Sequence, residues 1–151
     1  MTALATPSAV ADLIGRARTL IGDAQTMGEV RAGQAVLDTA YDLAKRLARS
    51  ATSDDAKAEA HSLSAQAMMA MRESQHRLAD EVDAAQARGE LARQGQRNDF
   101  LPEGEKVPTA PEAGISHKEL HAARKARDFD RRNPGTYDAA VQSALPDARA
   151  R

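Results

Sequence analysis

Residues 54–95 have the sequence DDAKAEAHSLSAQAMMAMRESQHRLADEVDAAQARGELARQG, which contains no proline. Ser53 is a good N-cap residue in front of this stretch, and Asp54 and Asp55 suit the positive end of a helix dipole. Apolar side chains recur along it at helical spacing. They are Ala60, Leu63, Ala67, Met68, Met71, Leu78, Val82 and Ala85. At ~1.5 Å per residue, the pattern predicts a helix about 60 Å long.

Two shorter amphipathic helices are predicted before this one. The first begins at Ser8 as N-cap and ends near residues 22–26, and the second runs from about Gly28 to the break at 50–53. Gly33 lies inside the second helix, where glycine costs about 1 kcal/mol relative to alanine. This cost suggests that another helix approaches closely there.

The two short helices cannot cover the whole of the long one. We therefore expect Asp54–Met71 to pack on them and the remainder to project, as a helix that meets a partner or its own copy. The residues predicted for this partner or oligomer interface are Met68, Met71, Leu78 and Val82. The methionine cluster at Met68, Met69 and Met71 has two interpretations, filling of the core or a pliable binding surface.

A short C-terminal module follows a linker rich in proline and glycine. Thr109 and Glu112 predict a single capped turn that Gly114 stops, and Ser116 with Glu119 predicts the start of a helix reaching about Asp130. A last short helix opens at Asn133-Pro134 and ends at Pro146. The fold class is therefore all-α, an N-terminal antiparallel bundle with one long helix and a small helix-turn-helix-like module. The predicted parts are 1–94 (alanine-rich bundle and coiled-coil region), 95–111 (linker), 112–146 (basic helical module) and 147–151 (disordered tail).

Composition argues against an enzyme. The chain has 151 residues with no cysteine, no tryptophan, two tyrosines and two phenylalanines, which are few large side chains for the walls of a pocket. No nucleotide-binding loop, nucleophile elbow or zinc-protease motif occurs, and no pair of acidic residues has the spacing of catalytic carboxylates. His117 and His121 have i, i+4 spacing but no third metal ligand at a matching position. We expect no catalytic activity, no cofactor and no metal.

Positive charge is concentrated near the C-terminus. Residues 116–132 hold six basic and three acidic side chains, a local charge of +3, whereas residues 1–94 hold 11 basic and 13 acidic ones. A short turn, a glycine and then a capped basic helix have the outline of a helix-turn-helix. Base edges would be contacted from the start of that helix and phosphates from its later part. The predicted DNA-binding residues are His117, Lys118, His121, Arg124, Lys125, Arg127, Arg131 and Arg132. The alternative is an ordinary solvated helix face.

Three short motifs resemble a family of small helical phage and prophage proteins. These are Ala87-Arg88-Gly89-Glu90-Leu91, then Ala113-Gly114-Ile115-Ser116-His117-Lys118-Glu119, and Pro134-Gly135-Thr136-Tyr137-Asp138-Ala139-Ala140-Val141. The Gly-Ile-Ser segment is also similar in outline to the helix-turn-helix of ParB-like partition proteins. Over roughly residues 55–145, the resemblance implies a phage or mobile-element setting.

Two functional hypotheses follow. The first is a non-enzymatic phage or prophage accessory protein that binds DNA, or a DNA-bound complex, through the C-terminal module. The second is a protein-interaction module, an inhibitor or adaptor of a host complex, that uses the long helix and binds no DNA. In either case we expect a homo-oligomer. No apolar run is long enough to span a membrane and the N-terminus lacks a signal-peptide pattern, so we expect a location in the (host) cytoplasm.

Overall fold

A computed structural model describes residues 5–96 and 101–146 of the chain. The regular secondary structure in these ranges is entirely helical, and one helix is much longer than the rest. This confirms the predicted fold class. The helices are α1 (Pro7–Asp23), α2 (Met27–Ser50), α3 (Asp54–Ala87), α4 (His117–Arg132) and α5 (Thr136–Ser143). None of the described helices combines the length and hydrophobicity that a bilayer span requires. The predicted tail 147–151 lies outside the described residues.

Side-chain caps fix where the first three helices begin. The N-cap of α1 is Thr6 rather than the predicted Ser8, with Pro7 in the first helical position, where its missing N–H is not needed. The start of α2 is a capping box, in which Thr26 accepts from the N–H of Glu29 and Glu29 accepts from the N–H of Thr26. Ser53 caps α3 as predicted. Three-residue connections at 24–26 and 51–53 make consecutive helices antiparallel neighbours.

The first apolar core lies among α1, α2 and the first half of α3. Its largest fully buried members are Val10 and Leu37, and alanines provide much of the remainder. The buried residues are Val10, Ile14, Ala17, Ile21, Leu37, Ala40, Ala44, Leu63, Ala67 and Ala70. The expectation that Asp54–Met71 packs on the first two helices is thereby confirmed.

The second half of α3 does not project, which corrects the sequence-based expectation. The helix ends at Ala87 because Gly89, with φ of 76°, allows the N–H groups of Gly89 and Glu90 to bond to the carbonyls of Gln86 and Ala85. The chain then folds back along α3. Leu78 and Val82, predicted to face a partner, are fully buried in a second core inside the same chain.

The C-terminal end of the predicted linker and residues on either side of the linker contribute to this second core. Leu91, Ala110 and Ile115 are buried in it, and the N–H of Ala92 bonds to the carbonyl oxygen of Pro108 at 2.8 Å. The capped turn at 109–114 is present, closed by Gly114 with φ of 89°, and it remains a turn rather than a helix. Helix α4 begins after its N-cap Ser116 and packs on α3, as does α5.

The close approach of α1 to α2 at Gly33 gives a test of the first core. A Cβ on Gly33 would overlap Cγ1 of Ile21 and lie 3.4 Å from the carbonyl oxygen of Ala17. We expect Gly33→Ala to lower the free energy of unfolding by about 1–3 kcal/mol through overpacking, despite the better helix propensity of alanine. Urea denaturation measures this change.

The matched control is Gly15→Ala on α1, because a Cβ there would meet no atom within 4 Å. This control should stabilise the protein by up to about 1 kcal/mol. Equal effects of the two substitutions would contradict the close helix contact.

Candidate functional site

An ion-pair network joins α4 to the second half of α3. Asp80 and Asp83 of α3 face three arginines one helical turn apart on α4, Arg124, Arg127 and Arg131. The guanidinium of Arg127 donates to Asp83 at 2.6 Å and to Asp80 at 3.0 Å, and the residue as a whole is 8% exposed. We call these five residues the α3–α4 network. A nearly buried guanidinium needs such partners, because an unpaired buried charge is strongly destabilising.

The network favours the charged form of the Asp83 carboxyl. Burial opposes ionisation of Asp83, but hydrogen bonds from Arg127 and Arg124 outweigh it and lower the pKa of Asp83. Burial likewise disfavours the charged form of Arg127, yet its bonds to Asp83 and Asp128 raise the pKa of Arg127 above that of a free guanidinium. Both shifts favour the charged forms of Asp83 and Arg127.

A second ion-pair group, centred on Asp130, connects α3, α4 and α5. Its carboxylate accepts from Arg72 at 2.6 and 3.0 Å and lies 2.6 Å from Nε2 of His76. The hydrogen bonds from Arg72 lower the pKa of Asp130 against the opposing effect of burial. The guanidinium of Arg72 also lies over the ring of Tyr137 on α5, 4.6 Å from its centroid. Arg72 thus holds both C-terminal helices against α3.

The start of α4 is fixed to α2. The N–H of Glu119 donates to the hydroxyl of Ser116, as the predicted capping box requires. The carboxylate of Glu119 instead binds the guanidinium of Arg31 at 2.6 and 2.8 Å, and Arg31 also donates to the carbonyl oxygen of Gly114. The C-terminal module is therefore attached to α2 as well as to α3.

The predicted DNA-binding residues separate into two groups. Arg124, Arg127 and Arg131 point at α3 and are occupied by aspartates in the α3–α4 network. The exposed remainder consists of His117, Lys118, His121, Lys125 and Arg132. Contact of the first group with phosphates would require its ion pairs to break. The sequence analysis did not predict Asp80 and Asp83 as the partners of these arginines. A usable signal was present, because the two acids lie one turn apart on α3 and the arginines recur once per turn on α4.

An apolar groove lies among α2, α3 and α5. It has a volume of about 420 Å³, and sequence reasoning did not predict it. Its apolar lining includes Tyr41 and Ala48 of α2, Ala65 and Met68 of α3, and Val141 and Leu145 at α5 and its exit. We call this surface the α2–α3–α5 groove. Of the two methionines predicted at an interface, Met68 lines it and Met71 packs against the first core.

The rim of the groove carries basic groups. Lys45 and Arg49 lie one turn apart on α2, and His61 lies on α3. The ammonium of Lys45 lies 5.2 Å from the ring centroid of Tyr41. No aspartate or glutamate is among the described residues that line the groove. An apolar floor with a cationic rim is suited to an apolar group that carries negative charge.

The two histidines at i, i+4 on α4 lie beside a small polar cavity of about 180 Å³ together with Arg93 and Arg124. Within residues 5–96 and 101–146, no group of three or more acidic or histidine side chains converges in a way that could hold a metal ion.

No protein-family model, no curated protein and no solved structure matches this chain.

The lowered pKa of Asp130 predicts how stability changes with pH. A carboxyl with a depressed pKa stabilises the fold above its unfolded pKa of about 3.9, and this contribution is lost as pH falls through the folded pKa. Asp130→Asn should lower the free energy of unfolding at pH 7 by about 1–3 kcal/mol, because Arg72 loses its partner. The difference from the unsubstituted protein should shrink as the pH falls below about 4. Denaturant titrations from pH 7 to pH 3 measure both.

Asp138→Asn is the control for this experiment, since Asp138 is exposed on α5 and has no ion pair among the described residues. Similar effects of the two substitutions at pH 7 would contradict a structural role for the Asp130 carboxylate.

Proposed function

We propose that this protein is a non-enzymatic interaction module that binds a partner protein in the α2–α3–α5 groove. The observation that carries the proposal is the groove itself, an open apolar surface of about 420 Å³ lined from three helices. That volume falls within the ~300–1,000 Å³ typical of pockets for small molecules, so it has room for apolar side chains of a partner. The partner would contact the side of α2 and α3 next to α5, because the chain's own C-terminal module covers the second half of α3.

Contacts within the chain hold the α5 wall of the groove. Val141 is buried, which fixes the α5 wall, and the contact of Arg72 with Tyr137 holds the start of the same helix. A preformed wall favours binding, because little conformational entropy is lost when the partner arrives. The half-buried Met68 in the floor adapts easily to the shape of an incoming side chain.

The polar groups in the groove support binding rather than catalysis. The hydroxyl of Ser64 donates to the carbonyl oxygen of Ala60 in its own helix at 3.2 Å, so it is not directed at a base. His61 is the one histidine among the lining residues. Acid–base or nucleophilic catalysis needs a paired base and nucleophile, and these side chains do not form such a pair. The resemblance to phage and prophage proteins favours a host or phage protein as the partner.

A second candidate function is contact with nucleic acid through the outer face of α4. Lys118, Lys125 and Arg132 lie there at helical spacing, are exposed, and form no ion pair among the described residues. The exposed ring of Phe129 lies on the same face. If this face binds duplex DNA of random sequence, Lys118→Ala with Lys125→Ala should reduce the slope of log affinity against log salt by roughly 2. Undetectable binding at low salt, or equal loss with Lys45→Ala and Arg49→Ala, would rule this candidate out.

Filling the groove tests the leading proposal. Ala144 lines the groove from an exposed position, so Ala144→Trp should block it without disturbing the core. A display library of 16-residue helix-forming peptides, with equal numbers of acidic and basic residues in the starting pool, supplies unbiased ligands. Peptides selected on the unsubstituted protein should bind Ala144→Trp at least 10-fold more weakly, as measured by fluorescence anisotropy.

The control is Ala122→Trp, the same substitution at an exposed position on α4 away from the groove. It should leave the affinity unchanged. Failure to select any peptide, or equal weakening by both substitutions, would contradict the proposal.

A further inference from the structure

The groove continues along α3 beyond its deepest part. A second concave surface of about 340 Å³ shares Tyr41 and Met68 with it and extends to Gln75 and Tyr137. The lining residues of α3 therefore run from His61 to Gln75. At ~1.5 Å per residue this is about 21 Å, the length of about four helical turns.

The shape favours an extended ligand with repeated apolar groups. One compact apolar molecule would fill either concavity and leave the other exposed to water. An amphipathic helix places apolar side chains every three or four residues, about 5–6 Å apart along its axis, so it can fill both concavities from one face. Short α5 leaves room beside α2 for such a helix, because only eight residues form its wall.

The charged side chains among the described residues that line the groove have one sign. Lys45 and Arg49 are exposed on α2 and form no ion pair within the described part of the chain. Arg72, which lines the second concavity, is instead neutralised by Asp130. The uncompensated cations therefore lie along the α2 edge. A ligand that follows this edge would pair with them through carboxylates on one flank.

We propose that the α2–α3–α5 groove binds an acidic amphipathic helix of a partner protein, about four turns long. Its apolar face lies on Tyr41, Met68 and Val141, and its carboxylates lie against Lys45 and Arg49. This inference rests on the proposed function and adds the chemistry of the partner. Because exposed ion pairs contribute modestly, the cations act mainly on partner selectivity and association rate.

The peptide library tests this chemistry directly. Peptides selected on the unsubstituted protein, after removal of those that also bind Ala144→Trp, should have apolar residues at i, i+3 or i+4 and i+7 and a net negative charge. The double substitution Lys45→Glu with Arg49→Glu should weaken the binding of these peptides at least 10-fold. It should raise the protein's affinity for variants of the same peptides in which lysine replaces each acidic residue. Lys118→Glu with Lys125→Glu changes net charge equally on α4 and should alter neither affinity by more than about 2-fold.

Each other outcome has a distinct meaning. Selected peptides that are neutral or basic, yet still lose binding to Ala144→Trp, would overturn the acidic-helix inference and leave the interaction module standing. Equal losses with the α2 and α4 charge reversals would overturn the inference in the same way. Dodecanoate could instead displace a selected peptide by forming a 1:1 complex that Ala144→Trp abolishes. That result would identify a small apolar anion as the occupant and overturn the acidic-helix inference. Recovery of no peptide at all would overturn both proposals.

Discussion

The pairing of α4 arginines with Asp80 and Asp83 of α3 is the interaction on which the rest of the structure depends. Arg127 is 8% exposed, so its charge would be costly without the two carboxylates. The pairs also set the register of α4 on α3, because one arginine per turn must meet acids one turn apart. Once α4 is fixed, Leu120 enters the second core and Asp130 reaches Arg72.

The position of α5, and with it the groove, follows from the same constraint. Gly135, with φ of 78°, turns the chain between α4 and α5, and Arg72 then holds Tyr137 while Val141 is buried. The C-terminal module thus packs on the bundle through contacts of α4 and α5 with α3 and of Glu119 with Arg31. Arg124, Arg127 and Arg131 fulfil a structural role. The exposed cations of its outer face that form no ion pair within residues 5–96 and 101–146 are Lys118, Lys125 and Arg132.

The sequence was sufficient to predict the helices, because their starts depend on local chemistry. Ser53 and Ser116 are N-caps as predicted, and the proline-free stretch after Ser53 is one long helix. The helix ends at Ala87, before the end of the proline-free stretch at Gly95 that the pattern predicts. Gly89 permits the backbone conformation that closes it, and a glycine two residues before the apolar Leu91 is a usable signal for this helix end.

Tertiary contacts were harder to predict, and this explains the errors about the site. Leu91, Ala110 and Ile115 are too few and too irregularly spaced to indicate that the chain after α3 covers Leu78 and Val82. The sequence pattern therefore predicts a partner for those two residues. A local charge of +3 also cannot distinguish arginines paired within the chain from free ones. The groove arises where residues distant in sequence meet, Tyr41, Met68 and Val141 among them, and no local pattern marks it.

The central claim is that the C-terminal helices are fixed on the bundle in one arrangement. The chain has no cysteine, so spin labels can be placed uniquely through Arg46→Cys on α2 and Gln142→Cys on α5, both exposed positions. Double electron–electron resonance then measures the distance between the labels across the groove. A single narrow distance distribution that broadens on Asp83→Asn with Asp130→Asn is the predicted result. A broad distribution in the protein without these two substitutions would contradict the account.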